Sequence, residues 1–576
     1  MKDSFNILKH LFGMGDPVHL FFAGVIFITA AALTVLHRIW KEDKKKLKIW
    51  RLLCLSPLVI CALHFMIFCA GDAWLYLFMC FYTLYLPAVV IALWGQLGRW
   101  KYSYPVLAVI ANASALLIGA YFCAPAPNIG NFTRQSYSEA FVSTCDYMEK
   151  HYVLADWKEI DFDALKDELL PEIEKAEREQ DIDAYYAAIQ TFCWYMHDGH
   201  VGTAAVGEYT PMLFAGYNDY GFSMVTLDDG RTIAVNTEPY SEANKAGISD
   251  GTVIVSWDGV PIDRARAEVR CIDIGIPVAS NEVILQPIYL AATGGESVEV
   301  GFIDENGEEH IAVVNKLPDL DESRFENSER LRDTITKLDR RLDSGENYSV
   351  KMLTESCGYL KLNQESYGTV ADIMGYFTGD HKEARELFRE RLRSLRSQGM
   401  TCLVIDLRSN MGGYDVISSA LTDLLTNDSF LTEGLGVVRD GGYVRVVDHM
   451  VAGDGEFADL EVVALTNMNC ASAGDGAALY LSKLDNVTLA GISDPCGCDQ
   501  ETGGVCFLPD GIAVMFPVGL VLNEDNEPNI DTAADRVSRN PVEVRIPFDE
   551  AAAQRIFADG EDYELEWAIE FLENKQ

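Results

Sequence analysis

One junction constrains this chain more than any other feature. Val462, Val463, Ala464 and Leu465 form an apolar, β-rich run that ends in the small residues Ala471-Ser472-Ala473-Gly474. A helical pattern then continues from Ala473 to about Leu484. Ser472 therefore stands where a strand turns into a helix, with its hydroxyl exposed and a helix N-terminus that favours developing negative charge. A second junction precedes it: the strand pattern of residues 403–407 ends in Asn410-Met411-Gly412-Gly413. Paired glycines let backbone N–H groups approach a ligand closely.

Around these junctions strands alternate with helices. Strand patterns cover residues 359–362, 403–407, 461–465 and 487–490, and helical patterns cover 381–397, 416–425 and 473–484. Such alternation implies an α/β core. A serine beside a Gly-rich turn is the minimal equipment for acyl transfer, with Ser472 as nucleophile. The N–H groups of Gly412 or Gly413, together with Ala473, would then hold the oxyanion. Cys470, two residues earlier, reads as a packed small residue rather than a substitute nucleophile.

The order of the motifs resembles the C-terminal processing (tail-specific) serine peptidases and their tricorn-like relatives. The resemblance rests on Cys357-Gly-Tyr-Leu-Lys-Leu362, Ile405-Asp-Leu-Arg-Ser-Asn-Met-Gly-Gly413 and Thr466-Asn-Met-Asn-Cys-Ala-Ser-Ala-Gly-Asp475. Leu508-Pro-Asp-Gly511 and His197-Asp-Gly-His200 add to it. It covers the chain from Phe132 onward and implies a crotonase-like ββα peptidase core over residues 351–576. The family places a base lysine on the turn after the Ser-bearing helix, but that turn here reads Gly491-Ile492-Ser493-Asp494. The tricorn-like branch carries its base on the first core strand, where this chain has Lys361. Asp531 is the nearest match to the carboxylate that orients the base. His200, in the His197-Asp-Gly-His200 match, has two readings, a catalytic histidine or, more commonly for such a position, a structural one.

The resemblance also divides the region before the core. Residues 132–203 are helical and resemble the family's N-terminal cap. Residues 212–316 are β-rich and resemble an embedded PDZ domain, whose carboxylate-binding loop would be Tyr220-Gly221-Phe222. Residues 317–350 are highly charged and read as a linker containing an exposed helix around 330–342.

Before residue 124, four apolar runs are about as long as a bilayer is thick: 18–37, 52–70, 74–94 and 104–122. No small-residue cleavage site follows the first, so it does not read as a removed leader. Lys and Arg crowd residues 38–51, and Arg99 and Lys101 follow the third run. With positive residues inside, this predicts a multi-pass cell-membrane protein with four transmembrane helices and an extracytoplasmic C-terminal region. The expected fold class is thus multi-domain: an α-helical membrane region (1–124), a helical cap, a PDZ-like module and an α/β peptidase core.

Charge excludes nucleic acid as a partner. Residues 1–124 hold 11 Lys and Arg against 5 Asp and Glu, whereas the whole chain carries −41. Nearly all the acidic excess therefore lies beyond the apolar runs, where it repels phosphate backbones. Nine of the 14 cysteines lie there too, an odd number, with Cys496, Cys498 and Cys506 clustered. No nearby His or fourth Cys completes a zinc set, so no metal or cofactor is expected, and an oxidising compartment would favour a local disulfide. Two functions remain. One is a membrane-anchored serine endopeptidase acting on protein or peptide substrates, which the PDZ-like module would select by their C-termini, with the lipid bilayer as a further partner. The other is a catalytically degenerate ectodomain that binds peptides and signals or scaffolds through the membrane region.

Overall fold

The structure is a computed structural model. It describes residues 17–69, 86–97, 129–205, 217–272, 275–317, 328–339, 347–366, 375, 379–439 and 442–575. At its centre lies a six-stranded sheet in the order Val544–Arg545, Val487–Gly491, Glu461–Leu465, Cys402–Asp406, Cys357–Leu362, Tyr348–Met352. The first five strands run parallel and the last antiparallel, so the sheet is mixed.

Alternation along each strand divides the core between two faces. Leu360, Leu362, Leu403, Ile405, Val462 and Ala464 meet the helices Lys382–Ser397, Val416–Leu425 and Ala473–Ser482 on one side. Cys357, Tyr359, Val404, Val463 and Ala490 face the C-terminal helix Tyr563–Lys575 on the other. Both faces of the sheet are covered, which is why its strands are apolar runs rather than amphipathic ones.

Residues 129–205 contain the helices Tyr137–His151, Phe162–Glu179 and Ile182–Tyr195. A four-stranded sheet fastens them to the C-terminal part of the chain. Its order is Ile129–Asn131, Thr502–Phe507, Ile512–Pro517, Gly202–Ala205. Met515 pairs with Gly202, and Val505 with both Met515 and Ile129. This sheet carries residues 197–201 to residues 496–501, far apart in sequence. A separate β-rich unit spans residues 217–317, with Ser223–Thr226 on one edge of its sheet.

Two expectations need correction. Among the described residues, no helix is long and apolar enough to cross a membrane. The run 52–70 is broken between the helices Lys44–Leu53 and Ser56–Cys69. The second of these has 14 residues and spans about 21 Å, short of the roughly 30 Å hydrocarbon layer. Leu86–Leu97, at the end of the third run, is shorter still at 12 residues. The rest of that run and all of 104–122 lie outside the described residues. Instead, Phe22, Ile26, Ala30, Leu33, Trp50, Ala88 and Ile91 pack together as a helical cluster. The four-span membrane region, the lipid-bilayer partner and the multi-pass extracytoplasmic placement are therefore withdrawn.

The second correction concerns residues 317–350. The helix Glu329–Asp339 is not an exposed linker element. Its Leu331 and Thr334 are buried. Leu331, Ile335 and Leu338 pack with Val225, Leu285 and Ile288 of the β-rich unit.

Candidate active site

Ser472 opens the helix Ala473–Ser482 with φ 58° and ψ −134°, a strained conformation for a residue with a side chain. Three backbone hydrogen bonds hold it there. Ala471 N–H donates to Asn410 O at 2.9 Å, Ser472 N–H to Cys498 O at 2.9 Å, and Gly476 N–H to Ser472 O at 3.0 Å. Small residues are required on all sides. A Cβ on Gly474 would lie 2.4 Å from Asn410 O, and one on Gly412 would lie 2.7 Å from the Ser472 Cβ. The hydroxyl itself caps nothing. A sharp strand-to-helix turn of this kind keeps a serine hydroxyl available to substrate.

The Gly412-Gly413 turn lies against this elbow. Gly412 has φ 89° and its N–H donates to the Asn410 side chain at 2.9 Å, so that donor is already used. The N–H groups of Gly413 and Ala473 donate to no described residue. Of the expected oxyanion donors, these two are the free ones.

Lys361 is not brought to Ser472. It shares its sheet face with Tyr359, opposite the face on which the Ser472 helix packs. Its ammonium donates to Asp406 Oδ1 at 3.2 Å and to the Arg408 carbonyl. The Arg408 guanidinium in turn forms two bonds to Asp406, at 3.0 and 2.8 Å, and two to Asp562, at 2.7 and 2.9 Å, and the Arg408 N–H adds a third to Asp406 at 3.0 Å. Burial lowers the Lys361 pKa, and the Asp406 carboxylate opposes this. The cluster ties the C-terminal helix to the sheet.

The segment 496–500 gathers other groups instead. Cys498 O accepts the Ser472 N–H, and the Cα of Gly199 lies against the Cys496 and Cys498 sulfurs, leaving no room for a Cβ. The two sulfurs are free thiols 3.4 Å apart. Next to Gly199, His200 is half-buried; its Nδ1 is enclosed and has no hydrogen-bond partner. Burial lowers its pKa, while Asp198 and the Gln500 backbone draw it upward. Asp531 Oδ2 accepts from Gln500 Nε2 at 2.8 Å and from Asp499 N–H at 3.0 Å. Its Oδ1 is buried and unpartnered. Burial, reinforced by Asp198, pushes the Asp531 pKa up to about 7. His200 and Asp531 thus both border Gln500, and each keeps one unsatisfied buried atom.

Beneath the elbow, Asp475 accepts from Gly497 N–H and from Asn540 Nδ2. Burial still raises its pKa to about 7, above the unfolded value of 3.8. The native state therefore favours the protonated acid. The stability it contributes is complete below about pH 4 and is lost as pH rises through 7. Asp475→Asn is expected to be more stable than the parent at pH 8 by roughly 2–4 kcal/mol and to show a flatter urea-midpoint profile between pH 4 and 7. An unchanged profile would mean that Asp475 is ionised throughout.

In the β-rich unit, Tyr220 and Phe222 point into the core, and the Tyr220 hydroxyl donates to Gly295 O at 2.8 Å. Gly221 N–H donates to the chain's own Asp219 carboxylate at 2.8 Å, so the expected carboxylate loop has an internal acceptor.

Residues 356–535 match the family described as Peptidase family S41. No curated protein matches the chain in sequence. Among solved structures, the chain is similar to mature CPAF at 14% identity, covering 75% of this chain and 96% of that one, with a TM-score of 0.47. It is also similar to the photosystem II D1 C-terminal processing protease at 15% identity, covering 74% and 98%, TM-score 0.31. The tricorn protease is similar at 16% identity, covering 76% of this chain and 37% of that one, TM-score 0.31.

Proposed function

We propose that this chain, a member of peptidase family S41 through residues 356–535, is a serine endopeptidase that cleaves protein or peptide substrates with Ser472 as nucleophile. The observation that carries this is the strained Ser472 backbone at a strand-to-helix elbow. Its neighbours are small, and two free N–H groups, Gly413 and Ala473, stand beside it.

His200 is the base in this reading, in place of Lys361. A base must be unprotonated at working pH, and burial already favours neutral imidazole at His200. Lys361 spends two hydrogen bonds on Asp406 and Arg408, which hold the ammonium form away from the elbow. Asp531 is the orienting carboxylate. Its unpartnered Oδ1 and the unpartnered His200 Nδ1 are the complementary halves of one hydrogen bond, and both residues border Gln500. Ser472 would pass its proton to His200 as the Oγ–carbon bond forms, and His200 would return it to the leaving amine.

Recognition of a substrate C-terminus by Tyr220, Gly221 and Phe222 would compete with an acceptor within the chain. A peptide carboxylate would have to displace Asp219 from the Gly221 N–H. The nucleophile is tested by labelling with a serine-directed fluorophosphonate. Wild type is expected to take up one label per chain and Ser472→Ala none, with the melting temperature nearly unchanged. Equal labelling of both proteins would move the nucleophile elsewhere.

A further inference from the structure

Asp415, Glu433 and Asp499 bring three carboxylates together in the interior, one oxygen of each within 4.8 Å of the others. They come from three separate places: the turn after Gly413, the strand Phe430–Arg439, and the segment before Thr502–Phe507. Their exposures are 6%, 0% and 4%. Glu433 is fully engaged, accepting from the Tyr480 hydroxyl and facing His449 Nδ1 at 3.0 Å. The other two are not. Asp499 Oδ2 accepts from Asn529 Nδ2 at 2.9 Å, but its Oδ1 has no partner. Asp415 Oδ1 has none either, and Asp415 does not cap the helix that it precedes. A fourth buried carboxylate, Glu365, stands near enough to repel Asp415 and also keeps one orphan oxygen, Oε2. Among the described residues, no Lys or Arg pairs with Asp415, Glu433 or Asp499.

Carboxylates taken out of water are paired, neutralised or bound to a cation. Here three nearly inaccessible carboxylates lie together, two of them keep an oxygen without a partner, and among the described residues His449, on Glu433, is the basic group that meets them. We propose that Asp415, Glu433 and Asp499 bind a divalent cation of the hard, oxygen-preferring kind, such as Ca²⁺, Mg²⁺ or Mn²⁺. The donor set is all oxygen, as these ions require. Ligands at about 2.3–2.6 Å around Ca²⁺ lie up to about 5 Å apart, which suits the spacing observed. Tyr480 and His449 hold Glu433 in place as outer hydrogen-bond partners.

The position gives the ion a role. Asp415 ends the turn that carries Gly412 and Gly413. Asp499 lies between Cys498, which accepts the Ser472 N–H, and Gln500, which holds Asp531. An ion shared between them fastens the oxyanion turn to the wall that carries Asp531. It is a structural clamp on the site, with no part in bond making, and it does not depend on which residue serves as base.

The full-length protein, stripped with chelator, is titrated with Tb³⁺ and excited through tyrosine. Tyr480, bonded to Glu433, should sensitise Tb³⁺ emission at one site per chain, and Ca²⁺ should displace it. Ca²⁺, Mg²⁺ or Mn²⁺ should raise the melting temperature of wild type by at least ~3 °C and leave Asp499→Asn unmoved. Should that variant fail to fold, Tyr480→Phe replaces it: the ion should still stabilise the protein while sensitised emission falls several-fold. The proposal is overturned if none of the three ions stabilises wild type and no sensitised emission appears, leaving a cluster neutralised by protons. It is equally overturned if binding survives in Asp415→Asn and Asp499→Asn, which would place the ion elsewhere, such as the exposed trio Asp304, Glu308 and His310.

Discussion

His200→Ala is expected to lower kcat/KM by roughly 10³–10⁴-fold, or about 4–5.5 kcal/mol of transition-state stabilisation. Lys361→Met should leave kcat/KM within about tenfold of wild type in the folded fraction, while costing roughly 1–3 kcal/mol of stability. The asymmetry follows from position. His200 borders the segment that accepts the Ser472 N–H, whereas Lys361 lies among Asp406, Arg408 and Tyr359 on the other face of the sheet. After Lys361→Met, Asp406 still has three bonds from Arg408 and one from Tyr359 at 2.9 Å, so no bare charge is left. The pH profile separates the two bases independently. Imidazole acts as a base only when unprotonated, and burial holds the His200 pKa below 6.5. The acid limb of kcat/KM should therefore lie below pH 6.5 and persist in Lys361→Met. A limb that survives in His200→Ala and disappears in Lys361→Met would reverse the assignment.

What could be read from the chain depended on whether a feature was local. The strand Glu461–Leu465 and the helix Val416–Leu425 fall at the residues expected from their apolar spacing. The Ser472 elbow was legible for the same reason: a β-rich run, small residues and a helix follow one another within a few positions. The proposed base was harder to place, because His200 reaches the segment 496–500 only through the pairing of Gly202–Ala205 with Ile512–Pro517 and of that strand with Thr502–Phe507. No local pattern encodes that pairing. Lys361 misled because a motif gives a position along a strand but not which face the side chain takes; its neighbour Leu360 points toward the helices, and Lys361 does not. The trio Asp415, Glu433 and Asp499 was hidden in a very acidic composition, where buried and solvated carboxylates look alike. The second apolar run, 52–70, failed differently. Hydropathy averages across the break between Leu53 and Ser56, and a span needs one continuous helix.

Gly412→Ala should be nearly as damaging to turnover as the loss of a catalytic group. Gly412 holds φ 89°, which costs a residue with a Cβ about 1–2 kcal/mol. Strain is the smaller part. The new Cβ would stand 2.7 Å from the Ser472 Cβ, 2.8 Å from Ala473 N and 2.9 Å from Ala471 O. Two of these are backbone atoms, so no rotamer change relieves the contact, and either the elbow or the turn must move. Movement of about 1 Å separates the nucleophile from the oxyanion donors, and misplacement on that scale costs around 10²-fold, with a similar factor for each donor lost. We expect kcat to fall by about 10³-fold or more with KM little changed. Gly230→Ala is the matched control. Gly230 has nearly the same φ, 88°, but nothing lies within 4 Å of its added Cβ. It should pay the backbone strain and keep full activity. If folded Gly412→Ala retains more than a tenth of wild-type kcat, the Gly412-Gly413 turn does not form part of the catalytic site.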